Sequence, residues 1–284
     1  MVRQMAAAGK FYPNDSSELK EFVDEVLSGV RKRNSRTYGG LVPHAGYNFS
    51  GKVAAEFYAS MNRTPETYIL LGPNHTGRGL DISISSEDWE SPLGEVPVDQ
   101  ELVTEIHDLS EAEYDEGAHH YEHSLEVQLP FLQRASDDDF EIVPISIGFK
   151  GKDRLVNLGE KVAEAVKNLG RDVVIITSSD MMHYGSQYGY TPFPEDQVPE
   201  KVEELDRELL EIIMSYNVDE MYEWIERRGY TMCGYGAAAT MLSAVENLIP
   251  EKKRSKLLSY DTSFSVMEEP SSVVGYAAVT FEGK

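Results

Sequence analysis

The chain alternates short apolar runs with amphipathic stretches over most of its length. Tyr68-Ile69-Leu70-Leu71 and Val173-Val174-Ile175-Ile176 are unbroken apolar runs that end in turn chemistry, the pattern of short strands buried on both faces. Tyr38 to Val42, Phe140 to Ile147, Lys256 to Tyr260 and Val273 to Phe281 read as further strands. Between them the spacing becomes helical. Asp15-Ser16-Ser17-Glu18 has the form of a helix start with its capping acid three residues on, and Leu19, Phe22, Val23, Val26 and Leu27 then share one face until Gly29. The same periodicity predicts helices over 51–61, 154–169 (closed by Gly170), 201–216 and 234–245. Asp81-Ile82-Ser83-Ile84-Ser85 alternates with period two, and Ser91-Pro92-Leu93-Gly94 turns the chain before Glu95-Val96-Pro97-Val98, which reads as a hairpin excursion. Strands that alternate with helices predict an α/β fold with a layered central sheet and helices on both faces. No long linker, low-complexity tract or fixed-period repeat interrupts it, so residues 1–284 read as a single domain.

Composition narrows the setting. At 284 residues and 41% hydrophobic content the chain can bury an ample core without staples. Cys233 is its only cysteine, which excludes an intrachain disulfide and predicts a reducing, cytoplasmic location. No apolar signal core or membrane-spanning stretch is present in the sequence, so no membrane partner is expected. The net charge of −23, from 49 acidic and 26 basic side chains, repels a phosphate backbone and argues against nucleic acid as a partner. Arg31-Lys32-Arg33 and Lys252-Lys253-Arg254 read as solvated helix ends.

Four segments put a metal-ligand or acid/base side chain just after an apolar run: Pro43-His44-Ala45-Gly46-Tyr47, Gly72-Pro73-Asn74-His75, Ser179-Asp180-Met181-Met182-His183 and Met232-Cys233-Gly234. In an open α/β sheet such residues converge in the crevice outside the carboxyl ends of the strands. Each has a plainer reading. His44 and His75 fit hydrogen-bonding turn residues as well as ligands. Cys233 opens an Ala-rich helix whose dipole favours a thiolate, yet free cysteines are commonly small core residues. Asp180 and His183, three apart, would share a face on a first helical turn, or serve as cap and packing. His123 and Glu126 have the i, i+3 spacing of carboxylate-bridged metal sites and equally of solvated helices. His107, among Glu105, Asp108 and Glu111, is assigned no role.

Ala8-Gly9-Lys10-Phe11-Tyr12-Pro13, Pro43-His44-Ala45-Gly46-Tyr47, Gly72-Pro73-Asn74-His75, Glu122-His123-Ser124-Leu125-Glu126, Ser178-Ser179-Asp180 with His183, and Cys233-Gly234 together resemble the Memo family (mediator of cell motility) over nearly the full chain. The resemblance implies a fold similar to the LigB-like class III extradiol dioxygenases, non-haem iron enzymes that open catechol rings. It further implies an iron or copper site on His44, His75 and Cys233, with Asp180 and His183 beside it. Two imidazoles and a thiolate suit Fe(II), Cu(I) or Zn(II), whereas ring-opening enzymes use two histidines and a carboxylate. The resulting expectation is metal-dependent redox or dioxygenase-like chemistry, with Asp180 orienting or deprotonating a neighbour and His183 as acid/base. Tyr47, His123 and Glu126 are expected in the outer layer or the substrate wall. Alternatives are a module binding a peptide or small-molecule ligand, and a hydrolase with Cys233 as nucleophile and His183 as its base.

Overall fold

The computed structural model describes residues 1–30, 35–148, 151–250 and 252–283. The chain opens with β1 (Val2–Arg3), α1 (Ser16–Leu27), β2 (Arg36–Val42), α2 (Tyr47–Ser60) and β3 (Thr67–Pro73). Next come β4 (Ile82–Ile84), β5 (Asp88–Ser91), β6 (Gly94–Val96), α3 (Gln100–Leu109), β7 (Glu113–Tyr114), α4 (Leu129–Ala135) and β8 (Glu141–Ile147). The second half holds α5 (Lys152–Leu169), β9 (Val173–Ser178), β10 (His183–Gly185), α6 (Glu200–Met214), α7 (Val218–Arg228), α8 (Tyr235–Leu248), β11 (Arg254–Thr262), α9 (Phe264–Met267) and β12 (Ser272–Gly283).

The main sheet runs β10-β12-β2-β9-β3-β8-β4-β7, with β11 also paired to β12. Its centre, β2, β9, β3 and β8, is parallel; β3 and β9, the unbroken apolar runs of the sequence, are buried along their whole length, and β2 and β8 are buried towards their carboxyl ends. Two adjacent glycines show how closely both faces are covered. A Cβ on Gly40 would lie 2.0 Å from the Phe57 ring of α2, and one on Gly39 would lie 2.7 Å from Val245 of α8. Successive strand residues point to opposite faces, so α2 and α8 press on the two sides of β2. α1 and α4 pack with α2, and α3 and α5 lie on the α8 side. The layered α/β arrangement is the one the alternation predicts.

Local signals carry through at the helix ends. Asp15 caps α1 by accepting from the Ser17 and Glu18 amides, and Gly170 closes α5 in the left-handed region at φ 65°. Two readings change. The hairpin is β5–β6 rather than a pairing of 81–85 with 95–98: Ile82–Ile84 is buried throughout and joins the main sheet antiparallel to β8. β5 instead pairs with β1, which lays buried Arg3 against the Trp89 ring. Lys253 bonds Glu246 of α8 but Arg254 already belongs to β11, so that basic run is a helix-to-strand turn. The run Arg31-Lys32-Arg33 lies outside the described residues. Among the described residues no helix is long and apolar enough to cross a membrane.

Candidate functional site

β2, β9 and β3 are adjacent, parallel and in register, Val42 opposite Ser178 and Leu71 opposite Thr177, so their carboxyl ends finish level. The segments after them therefore meet. His44 follows β2, His75 follows β3 and Asp180 follows β9. α8 brings the fourth segment: Gly234 sits so close to Ser179 that a Cβ would lie 2.6 Å from its Cβ, and the Gly234 amide donates to Ser179 Oγ at 2.9 Å.

The histidines are fixed in definite tautomers. Ser178 Oγ donates to the Ser124 carbonyl (2.6 Å) and accepts from Gln128 Nε2 (2.9 Å), so His44 Nδ1, 2.9 Å away, must be the donor in that contact. Its Nε2 keeps the lone pair and lies 3.3 Å from Cys233 Sγ. Burial, with the neighbouring His75, His123 and His183, holds the His44 pKa well below the ordinary value. His75 Nδ1 donates to Glu122 Oε1 at 2.9 Å, and the Glu122 carboxylate also accepts the His75, His123 and Ser124 amides. Burial opposes the Glu122 charge, but the His75 bond and charge and the Ser124 amide bring its pKa down to about 2. Burial likewise works to lower the His75 pKa, yet bonding and charge from Cys233 and Glu122 outweigh it and push it up to about 10. His123 stacks between Phe11 (4.1 Å between centroids) and His75 (4.8 Å), and burial lowers its pKa to about 4. His44, His75 and His123 offer ligand nitrogens that all lie within 4.8 Å of one another.

Asp180 and His183 are not a helical pair. Met181 N and Met182 O both bond Gly275, which keeps this segment extended, and His183 opens β10 opposite Val274. Asp180 Oδ1 accepts the His44 and Ala45 amides at 2.8 and 3.3 Å, fixing the His44 turn, and burial raises its pKa. His183 Nδ1 lies 3.1 Å from two carbonyls, Met181 and Thr231, so it carries the proton and Nε2 is the free nitrogen. A cavity of about 410 Å³ opens above these groups, lined by His44, His75, His123, Asp180 and His183 and walled by Phe11, Phe49, Tyr188, Tyr276, Met267 and Val274. Among the described residues, no lysine or arginine lines it.

Two of the residues expected in the outer layer or the wall do not line the cavity. Residues 123–126 do not form the helix that would put His123 and Glu126 on one face. His123 turns to the cavity, and Glu126 turns to Arg3 at 2.7 Å, to the Ala6 and Ala7 amides and to Tyr12, because a fully buried guanidinium needs a buried counter-charge. Tyr47 is buried in α2 and donates to the Val127 carbonyl at 2.7 Å, away from the cavity. Conversely, Glu122 and Ser178, which orient the imidazoles, were assigned no role from the sequence. Their signal was adjacency to His123 and Asp180, which does not distinguish them from Ser124 or Ser179.

A model of the family "Memo-like protein" matches residues 3–280. The chain belongs to the Memo family. It is 42% identical over 290 residues to a MEMO1 family protein of Pyrococcus abyssi, covering 98% of this chain and 99% of that one. A MEMO1 family protein of Methanosarcina acetivorans is 42% identical over 281 residues, with 99% of each chain covered. Among solved structures, an uncharacterized protein of Escherichia coli K12 superposes with a TM-score of 0.54 at 14% identity over 86% of this chain and 99% of that one, a likeness of fold alone. The Memo motifs quoted from the sequence are the segments that meet at this sheet edge.

Proposed function

We propose that this Memo-family chain is a metal-binding protein that uses iron or copper for redox chemistry on a small ligand. The observation that carries the reading is the donor set: three imidazole nitrogens within 4.8 Å of one another and a thiolate-forming sulfur 3.3 Å from one of them. The residues fit a metal. The Nδ1 protons of His44 and His75 are committed to Ser178 and Glu122, so Nε2 is the ligating atom of each, with a free lone pair on His44 and one released on His75 once its second proton leaves, and Glu122 supplies the carboxylate that commonly backs a ligating histidine. The proposed ligands are His44, His75 and Cys233, with His123 joining them. Imidazole and thiolate together suit Fe(II), Cu(I) and Zn(II), and the first two supply one-electron chemistry when bound. His183 Nε2 faces the cavity as acid/base, Asp180 holds the His44 turn, and the aromatic wall fits a flat apolar ligand.

The thiol–imidazole contact between Cys233 and His44 also supports a second reading, a Cys-nucleophile hydrolase. The depressed His44 pKa weighs against it, since that ring is a poor proton acceptor. The lack of lysine or arginine among the described lining residues weighs against a phosphorylated peptide. Anaerobic titration of Fe(II) or Cu(I) into His44→Ala, His75→Ala, His123→Ala and Cys233→Ser, each checked for folding, tests the donor set. Loss of at least tenfold in affinity is expected for each ligand, on the scale even of outer partners. Wild-type affinity in a variant removes that residue from the set.

A further inference from the structure

Asp206, in α6, is fully buried and stands outside the cavity lining, yet its partners lead directly to the site. Three donors converge on its carboxylate: the Tyr230 hydroxyl, the Tyr260 hydroxyl at 2.8 Å and the Met182 backbone N–H. Gly275 of β12 leaves the space, because a Cβ there would lie 1.8 Å from Asp206 Oδ2. Met182 precedes His183, and its carbonyl accepts from the Gly275 amide at 2.9 Å. Tyr230 precedes Thr231, which grips His183 at three points. Thr231 Oγ1 accepts the His183 amide (2.9 Å) and donates to the His183 carbonyl (3.0 Å), while the Thr231 carbonyl meets His183 Nδ1 (3.1 Å). Two residues further on lies Cys233.

We propose that Asp206 is the positioning residue of this wall: its carboxylate locks the 181–183 arm against the 230–233 arm, so that His183 Nε2 and Cys233 keep their places at the site. The inference rests on the metal-site reading for its functional consequence, while its geometry stands apart from any metal. An ionised carboxylate, which only accepts, matches three converging donors; a protonated one presents an O–H to them, and a tyrosine must turn its own proton away. Burial raises the Asp206 pKa to about 7 against the pull of Tyr230, Tyr260 and Met182, which sets that exchange near neutral pH. The facing charged and titratable groups are Glu203 of α6, Tyr260 of β11 with Arg207 over its ring, and Tyr230 with Tyr190 beside it, while β12 meets the carboxylate at Gly275.

The test follows the backbone amide signals of Met182 and Thr231 by NMR through neutral pH in metal-free, full-length protein. In the wild type an inflection near pH 7 is expected, and it should vanish in Asp206→Asn. Tyr260→Phe removes one donor to the carboxylate, so its inflection should move up by about one pH unit, the scale of a hydrogen bond to a charged group. If Asp206→Asn does not fold, the Tyr260→Phe shift decides. The same inflection in all three proteins, or none in the wild type, overturns the proposal. Iron titration of the same samples separates the two readings. An Asp206-dependent inflection in protein that binds no iron refutes the metal reading alone, and normal iron binding without the inflection refutes the positioning role alone.

Discussion

Glu122 and Cys233 together set the protonation of the site, because both face His75 and both favour its charged form. With its pKa raised to about 10, His75 holds a proton in the metal-free protein at every pH below that value, whereas burial keeps His44 neutral. A metal ion that takes the His75 lone pair must displace this proton. Calorimetric titration at pH 8 in buffers of different ionisation enthalpy should therefore count a proton that His75→Ala does not release. Affinity should rise with pH up to about 10, since the competing proton is lost only there. Binding at pH 8 with no proton released would remove His75 from the ligand set. His44, His75, Asp180 and His183 were legible as candidates because they come shortly after apolar runs, and Cys233 because it opens an Ala-rich helix. His123 was legible only as a wall residue, since its place beside His75 depends on an irregular loop. That loop is held by Arg3 through the His119 and Glu122 carbonyls and Glu126, and a buried arginine leaves no trace in sequence patterning.

Elements place these side chains by stopping level with one another. β2, β9 and β3 end in register, and α2 and α8 clamp β2 through positions where any side chain would collide. Gly40→Ala should consequently push α2 off the sheet and cost about 1–3 kcal/mol, the range for overpacking a filled core. Urea unfolding would show a lower midpoint at unchanged slope, and an unchanged midpoint would mean that Phe57 yields freely. The central parallel strands were readable because burial on both faces makes them continuous apolar runs. β10 was not: His183 to Gly185 is three residues long, and it is a strand only because β12 supplies the partner. The β5–β6 hairpin was displaced for the same reason, its pairing with β1 being a contact between distant parts of the chain.

At the scale of the whole molecule, separate stretches of sequence converge on one carboxyl-terminal sheet edge, and the fold encloses them with an aromatic wall that, among the described residues, holds no lysine or arginine. The wall itself, from Phe11 at one end of the chain to Met267, Val274 and Tyr276 at the other, had no signature in the sequence because its members share only the cavity. If the proposed metal reading holds, the fixed imidazoles, the backing carboxylate and the adjacent sulfur should retain a metal ion through purification. The most direct measurement is elemental analysis of untagged protein purified without oxygen, paired with iodoacetamide labelling of the same sample. Stoichiometric iron or copper is expected, with Cys233 protected from alkylation until the metal is stripped. Folded protein that carries no metal and whose Cys233 is labelled rapidly and completely would contradict the account and favour the thiol–imidazole pair as the working chemistry.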